Sequence, residues 1–310
     1  MPPSGFSADL SSALRDAADP LFLRKLERFR LTARHRLGHK PGNTQTRFAS
    51  QESGLEIANH KSYAPGDDLR HFDWNAYARL DEMVVKTYRA EREAPLHILI
   101  DTSASMGVPT SDRKLPFAVA VATSLAYINL RQNDPVQIFC LGHHSRNWAS
   151  PLFRHPQRLP DLQAFVARVE ARGPTTLHQG IDLFLRTTHR PGLVVVLSDF
   201  LVQRSLYEEG LERLCARKYG VAALRIVGAD ERTPDSLPRR LRLRDAETGQ
   251  ERVIDLTDAH RATYVNAVQA HLAGIKQWCE SRAITFAAID SDRGIESCLL
   301  DTLPRAGLLQ

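Results

Sequence analysis

The hydrophobic pattern of this chain changes character near residue 95. Ahead of that point the apolar pattern is irregular. Residues 1–20 read as a loose leader. LFLRKLERFRLTARHRL (21–37) then sets Leu23, Leu26, Phe29 and Leu31 near helical spacing on a basic background, which predicts an amphipathic helix. GHKPGNTQT reads as an exposed loop, and DEMVVKTYRAERE (81–93) as an extended segment. Beyond residue 95, short apolar runs of strand length appear at LHILI (96–100), VQIFCLG (136–142), LVVVLSD (193–199), GVAALRIV (220–227) and AITFAAID (283–290). Between them lie helical patterns at 115–131, 159–171, 177–188, 205–218 and 262–281. Apolar strands alternating with helices predict an α/β fold: a mostly parallel sheet with helices on both faces. RLRLRDAETGQERVIDL breaks this rhythm and predicts a β-hairpin inserted at about 238–257, turning at Glu247–Gly249. The expected organisation is a smaller helix-plus-strand region over 1–94, followed by the α/β domain over 95–310.

Composition changes this picture little. With 43% apolar and 25% charged residues in 310, the chain has ordinary globular values and ample length for a core. MPPSGFSADL lacks the pattern of a secretory signal, and runs such as GLVVVL fall far short of the ~20 residues that cross a bilayer. Cys140, Cys215, Cys279 and Cys298 are scattered, without a CxxC pair. That favours reduced thiols and a cytoplasmic location over a disulfide frame or zinc site.

The net charge of +5 is concentrated in one place. Residues 24–47 hold eight Lys or Arg (Arg24, Lys25, Arg28, Arg30, Arg34, Arg36, Lys40, Arg47) against Glu27 alone, so the remainder of the chain is slightly acidic. A solvated face of an amphipathic helix accounts for this. A surface for a polyanion or acidic partner is the alternative, and nucleic-acid binding would rest on this stretch alone.

The candidate chemistry lies where apolar strands end. HILIDTSASMG (97–107) runs from a buried strand into Asp101, Ser103 and Ser105, oxygen-bearing side chains at alternate positions. LVVVLSDF ends a second strand at Asp199, and RGPTTLHQGID sets Thr175 and Thr176 before a helix. In an open α/β sheet these loops share the carboxyl edge, where ligands sit. Two carboxylates with several hydroxyls form a set for a hard divalent cation: magnesium first, manganese or calcium as alternatives. Neutral hydroxyls leave much of the ion's charge uncompensated, which invites an acidic ligand from a partner. Taken singly, Asp101 reads as a helix cap and Asp199 as an ordinary loop acid; their occurrence together in this order favours the ion.

Enzymatic alternatives find less support. The nucleophile-elbow pattern Gly-x-Ser-x-Gly is absent, as are GxxxxGK[ST] and GxGxxG. His35 and His39 stand four apart without an HExxH motif, and the adjacent His143 and His144 read as loop residues. A metal-dependent hydrolase stays the alternative function, short of an evident general base.

Asp-x-Ser-x-Ser after a buried strand, a Gly-x-Thr loop and an Asp after a later strand resemble the metal-ion-dependent adhesion site (MIDAS) of von Willebrand factor A domains. Asp101, Ser103 and Ser105 match its first loop, Thr175 matches its threonine by following Gly173, and Asp199 matches its last loop. Pro174 stands where most relatives have a second glycine, which leaves Thr176 as a weaker candidate. This resemblance covers roughly residues 95–230 and 258–303. It implies a Rossmann-like von Willebrand A fold with a metal held by Asp101, Ser103, Ser105, Thr175 and Asp199.

A second stretch, YAPGDDLRHFDWNAYARLDEMVVKTYRAERE (63–93), is similar to the signature of the bacterial domain-of-unknown-function family DUF58. Members carry it directly before a von Willebrand A domain, and the late hairpin is similar to a segment they insert. The resemblance implies partnership with MoxR-type AAA+ ATPases, beside which such proteins are commonly encoded, and with other von Willebrand A-domain proteins. It also implies membrane anchoring for some relatives, for which this chain shows no segment. In physical terms, Pro65, Gly66 and Asp67 predict a tight turn, and Asp67, Asp68, Arg70, Asp73 and Arg79 a set of ion pairs around Trp74. Such a clasp would dock the N-terminal segment or serve as a partner surface. The function expected is a non-enzymatic, metal-dependent protein-binding module acting as adaptor for, or partner of, a MoxR-type ATPase.

Overall fold

A computed structural model describes residues 4–32, 56–65, 69, 72–89, 95–142, 148–174, 176–232 and 237–310. Several residues singled out above lie outside this set: Arg34, His35, Arg36, His39, Lys40, Arg47, Gly66, Asp67, Asp68, Arg70, His143, His144 and Thr175. By contacts the chain divides into two compact units, Met1–His39 with Ala94–Gln310, and Lys40–Glu93.

Along the chain, α1 (Ser4–Ala17) and α2 (Pro20–Leu26) come first, followed by β1 (Glu56–Ser62), α3 (Trp74–Leu80) and β2 (Val84–Arg89) of the smaller unit. The larger unit resumes with β3 (Leu96–Asp101), α4 (Lys114–Leu130), β4 (Val136–Leu141), α5 (Leu159–Val166), α6 (Leu177–Thr187) and β5 (Leu193–Ser198). It continues through α7 (Arg204–Ala216), β6 (Gly220–Val227), α8 (Ala229–Arg232), β7 (Arg240–Arg244), β8 (Glu251–Asp255), α9 (Asp258–Ser281) and β9 (Thr285–Asp290). Short helical turns complete it. Among the described residues no helix is long and apolar enough to cross a membrane.

The expected mixed α/β architecture is present. Five strands form a parallel sheet in the order β4-β3-β5-β6-β9. Strand β3 is buried along its whole length, and its side chains alternate between two cores. Ile98 and Ile100 join Leu125 and Val121 of α4, Leu162 of α5 and Phe22 and Leu26 of α2 on one face. Leu99 joins Ile181 and Phe184 of α6, Leu211 of α7 and Ile275 of α9 on the other. Helices on both faces explain why the strands read as continuous apolar runs rather than as alternation. The hairpin β7–β8 lies apart from this sheet, pairing Arg240 with Asp255 through Arg244 with Glu251. Its turn is closed by Asp245 Oδ1, which accepts from Thr248 N at 2.6 Å and Glu247 N at 3.0 Å, and by Gly249 at φ 71°.

The first residues depart from the sequence expectation. The supposed leader contains α1, which buries Leu10, Ala13 and Ala17. The basic helix is shorter than its spacing implied, because α2 ends at Leu26 and Leu31 forms a bridge to Leu309. Main-chain bonds Arg30 N to Gln310 O (2.8 Å) and Gln310 N to Arg30 O (2.9 Å) hold this segment to the C-terminus. Long-range pairing thus overrides a local helical pattern. Arg24, Lys25, Arg28 and Arg30 are exposed, which the solvated-face and the partner-surface readings both require.

In the smaller unit, β1 and β2 pair antiparallel, with a register irregularity between Ile57 and Asn59. Asp73, expected among ion pairs, caps α3: its Oδ1 accepts from Asn75 N at 3.0 Å and Ala76 N at 3.1 Å. Phe72 gathers Trp74, Tyr77 and Tyr63 around it, with ring centroids 4.6, 5.9 and 6.2 Å away. Trp74 itself is 67% exposed, so it is a surface aromatic of this unit and not its buried centre.

One buried group makes folding sensitive to acid. His97 of β3 lies among Phe139, Phe184 and Tyr219, and its Nε2 is 3.3 Å from Arg190 O. Burial pushes its pKa down from 6.5 to about 4. Between those values the unfolded chain binds the proton and the folded one does not, so stability falls as pH drops from 6.5 through 4. The full shift corresponds to about 3 kcal/mol. His97→Leu should remove this loss, which urea unfolding of both proteins across pH 7 to 4 would read as wild-type stability falling relative to the variant as pH drops.

Candidate metal centre

Chain order decides where this centre forms. From β3 the chain passes to β4 on one side and later returns to β5 on the other, so the order reverses at β3. At such a switch point the loops beyond the carboxyl ends of neighbouring strands diverge to opposite faces and leave a crevice. Ile100 pairs with Leu197, which brings Asp101 abreast of Ser198 and next to Asp199. Beyond Asp101 the chain coils into a 3₁₀ turn, Ala104–Gly107.

Asp101, Ser103 and Asp199 are fully buried, and Ser105 is half-buried. Asp101 Oδ1 accepts from Ser103 N at 2.9 Å, and its Oδ2 accepts from Ser198 Oγ at 2.6 Å. Ser103 Oγ and Ser105 Oγ share a hydrogen bond of 3.0 Å. Asp199 Oδ1 accepts from Leu201 N at 3.2 Å. Its Oδ2 accepts from Lys114 Nζ at 2.9 Å, an ion pair whose side chains are 4% and 1% exposed. Burial, followed by the Asp199 charge, pushes the Asp101 pKa up to about 6, although the hydrogen bonds from Ser198 and Ser103 oppose the shift.

The structure therefore brings together four of the expected residues: Asp101, Ser103, Ser105 and Asp199. Thr175 lies outside the described residues. The loop that carries it reaches the first loop, since Ala104 N donates to Gly173 O at 2.9 Å and Arg172 N to Thr102 O at 2.8 Å. Thr176, the weaker candidate, is the N-cap of α6 and makes no side-chain capping bond.

Lys114, Ser198 and Arg225 also belong to the centre, and sequence reasoning missed them. Ser198 links the loops by donating to Asp101 while accepting from Phe200 N at 2.9 Å. Arg225, fully buried in β6, donates from Nε to Asp199 O at 3.0 Å and pairs through its Nη2 with Glu231 of α8. The only available signals were a serine beside Asp199, an arginine inside an apolar strand and a lysine opening an apolar helix.

The donor set fits a hard divalent cation. An ionised carboxylate offers about four lone-pair directions, more than the donors named above from among the described residues occupy, so acceptor capacity remains. Two hydroxyls from one loop complete an oxygen-only set suited to magnesium, manganese or calcium. In this arrangement the Lys114 ammonium supplies the cation at Asp199.

Comparison with known proteins adds a family. The sequence profile described as "Protein of unknown function DUF58" matches residues 59–274. The chain is similar to an uncharacterised protein of Mycobacterium tuberculosis, 27% identical over 250 residues that cover 77% of this chain and 76% of the relative. An uncharacterised Mycobacterium bovis protein gives the same figures of 27% identity, 77% and 76%. Among solved structures, the conserved hypothetical protein BatB from Bacteroides thetaiotaomicron aligns with 14% identity and TM-score 0.36, over 61% of this chain and 98% of that one. An aerotolerance-related membrane protein from Bacteroides fragilis aligns with 15% identity and TM-score 0.35, over 61% and 99%.

Proposed function

The chain belongs to the DUF58 family, and from that premise we propose that it is a non-enzymatic, metal-dependent protein-binding module of von Willebrand A type. One observation carries this reading: two fully buried carboxylates, Asp101 and Asp199, meet beyond adjacent parallel strands with the Ser103 and Ser105 hydroxyls beside them. Burial and the neighbouring Asp199 charge disfavour an ionised Asp101, while Lys114 already pairs with Asp199, and a divalent ion would stabilise the Asp101 carboxylate. Asp101, Ser103, Ser105, Thr175 and Asp199 would hold a divalent ion, magnesium first, in part through water. When bound, such an ion offers an electrophilic position to an oxygen ligand from outside.

The partner is then a protein that presents an Asp or Glu side chain. Ser105 lies at the accessible side of the crevice, and Val108 and Leu201 on the neighbouring loops are 45% and 49% exposed. These apolar side chains suit the surroundings of a docked carboxylate. A MoxR-type AAA+ ATPase is the proposed partner, with other von Willebrand A-domain proteins alongside it. The four free thiols support a reducing, cytoplasmic setting.

Calorimetric titration with magnesium and manganese tests the reading. Asp101→Ala removes a charged ligand and should weaken binding on the order of 100-fold, the scale of losing a buried charge partner. Ser105→Ala removes a neutral ligand and should cost less. Equal affinity in wild type and Asp101→Ala would overturn the assignment.

A further inference from the structure

The metal reading leaves Lys114 unexplained. Lysine is seldom buried, yet this side chain is 4% exposed and opens a helix in which, apart from Tyr127, every residue is buried. Its place is unfavourable on a second count, because a helix N-terminus carries partial positive charge and repels a cation. The preceding residue, Arg113, is in the left-handed region at φ 48°, so the chain bends sharply to deliver Lys114 here. The Asp199 carboxylate, at 2.9 Å, offsets these costs. Arg225 does not take that role, since it is committed to the Asp199 main-chain carbonyl and to Glu231.

A divalent ion held by Asp199 would meet this ammonium on the same carboxylate. Two cations sharing one buried oxygen pair repel strongly in a medium of low dielectric constant. A second resting place lies nearby. Asp112 and Glu231 both feel the charge of Lys114, and Asp112 Oδ2 and Glu231 Oε2 are buried without a hydrogen-bond partner among the described residues. Resting on the reading of this centre as a metal site, we propose that the Lys114 ammonium and the divalent cation are alternative occupants of the Asp199 carboxylate. Metal loading is then a cation exchange that moves Lys114 toward Asp112 and Glu231. Lys114 is the first residue of α4, so the exchange acts on the segment from Gly107 to Arg113, which contains the exposed Val108. Metal occupancy and the shape of the partner-facing rim are thereby coupled.

The test is manganese affinity by calorimetry, with thermal melting in parallel, for wild type, Lys114→Met, Lys114→Gln and Lys114→Arg. The two neutral variants should bind manganese at least tenfold tighter than wild type, and their melting temperatures should rise more on its addition. Lys114→Arg keeps the charge and should stay within a few-fold of wild type. Equal or weaker binding by both neutral variants overturns the exchange while leaving the metal site standing. Failure of both to fold even with manganese present makes Lys114 a structural cation and also overturns it. Absence of manganese binding from all four proteins removes the metal reading itself, and the exchange with it.

Discussion

Asp199→Ala should destabilise the protein by about 3–5 kcal/mol where Lys114 stays in place, because it removes the carboxylate that the buried ammonium touches at 2.9 Å, and by less where the ammonium moves to Asp112 and Glu231. The pair is almost inaccessible to water, so solvent cannot take over the lost contact. Asp199 also accepts from Leu201 N, and alanine would leave that donor without its carboxylate. Removing both partners has a different outcome. Buried ion pairs replaced by apolar residues of similar volume are often neutral or better. Lys114→Met combined with Asp199→Leu should therefore cost much less than Asp199→Ala alone. Urea unfolding in EDTA of the single and double variants measures the coupling directly. A loss below about 1 kcal/mol for Asp199→Ala would mean either that the pair behaves like an exposed one or that Asp112 and Glu231 take over the ammonium. Asp199→Ala is accordingly a poor probe of metal binding, since it perturbs folding and ligation together. Asp101→Ala is cleaner: its carboxyl is held up at about 6 by burial and by Asp199, so deleting it removes an unfavourable charge as well as two hydrogen bonds.

Much of the α/β domain is legible in the sequence for one physical reason. Parallel strands covered on both faces must be apolar throughout, so 96–100, 193–199 and 220–227 stand out as runs, and turn residues mark their ends. The boundaries shift where caps decide them. Helix α9 begins at Asp258, ahead of its apolar periodicity, because Thr257 Oγ1 accepts from His260 N at 3.3 Å. The acidic and hydroxyl residues of the centre are legible because polar groups directly after buried strands have few structural reasons to be there. Lys114 is not legible. A lysine at a helix start reads as solvated, and the carboxylate it pairs with comes from the loop after β5, distant in sequence. Arg225 is hidden by the same logic, as its partners Asp199 and Glu231 come from two further elements. Local spacing misleads at α2, whose apolar positions would suit a longer helix, but the C-terminus offers Leu31 a main-chain partner.

Chelation should lower the affinity for a MoxR-type AAA+ ATPase from the same genome on the order of 100-fold, and restored magnesium should recover it. With the ion removed, Lys114 returns to Asp199, so the carboxylate regains a counter-charge and circular dichroism should barely change. What disappears is the position at which a partner carboxylate can coordinate. An incoming acid would instead face the buried carboxylates Asp101 and Asp199 across the crevice, and only the apolar contacts at Val108 and Leu201 would remain favourable. Truncating one member of a buried charge pair at an interface costs about 2–5 kcal/mol, mostly through faster dissociation. Charge reversal at the exposed Arg24, Lys25, Arg28 and Arg30 should behave differently. It should slow association and change its salt dependence while leaving dissociation nearly as it was. Biolayer interferometry with magnesium, with EDTA and with magnesium restored separates the two effects, since each falls on a different rate constant. Binding at full strength in EDTA would dismiss the metal bridge, and the exposed aromatics Trp74 and Tyr77 of the smaller unit would become the surface to mutate next.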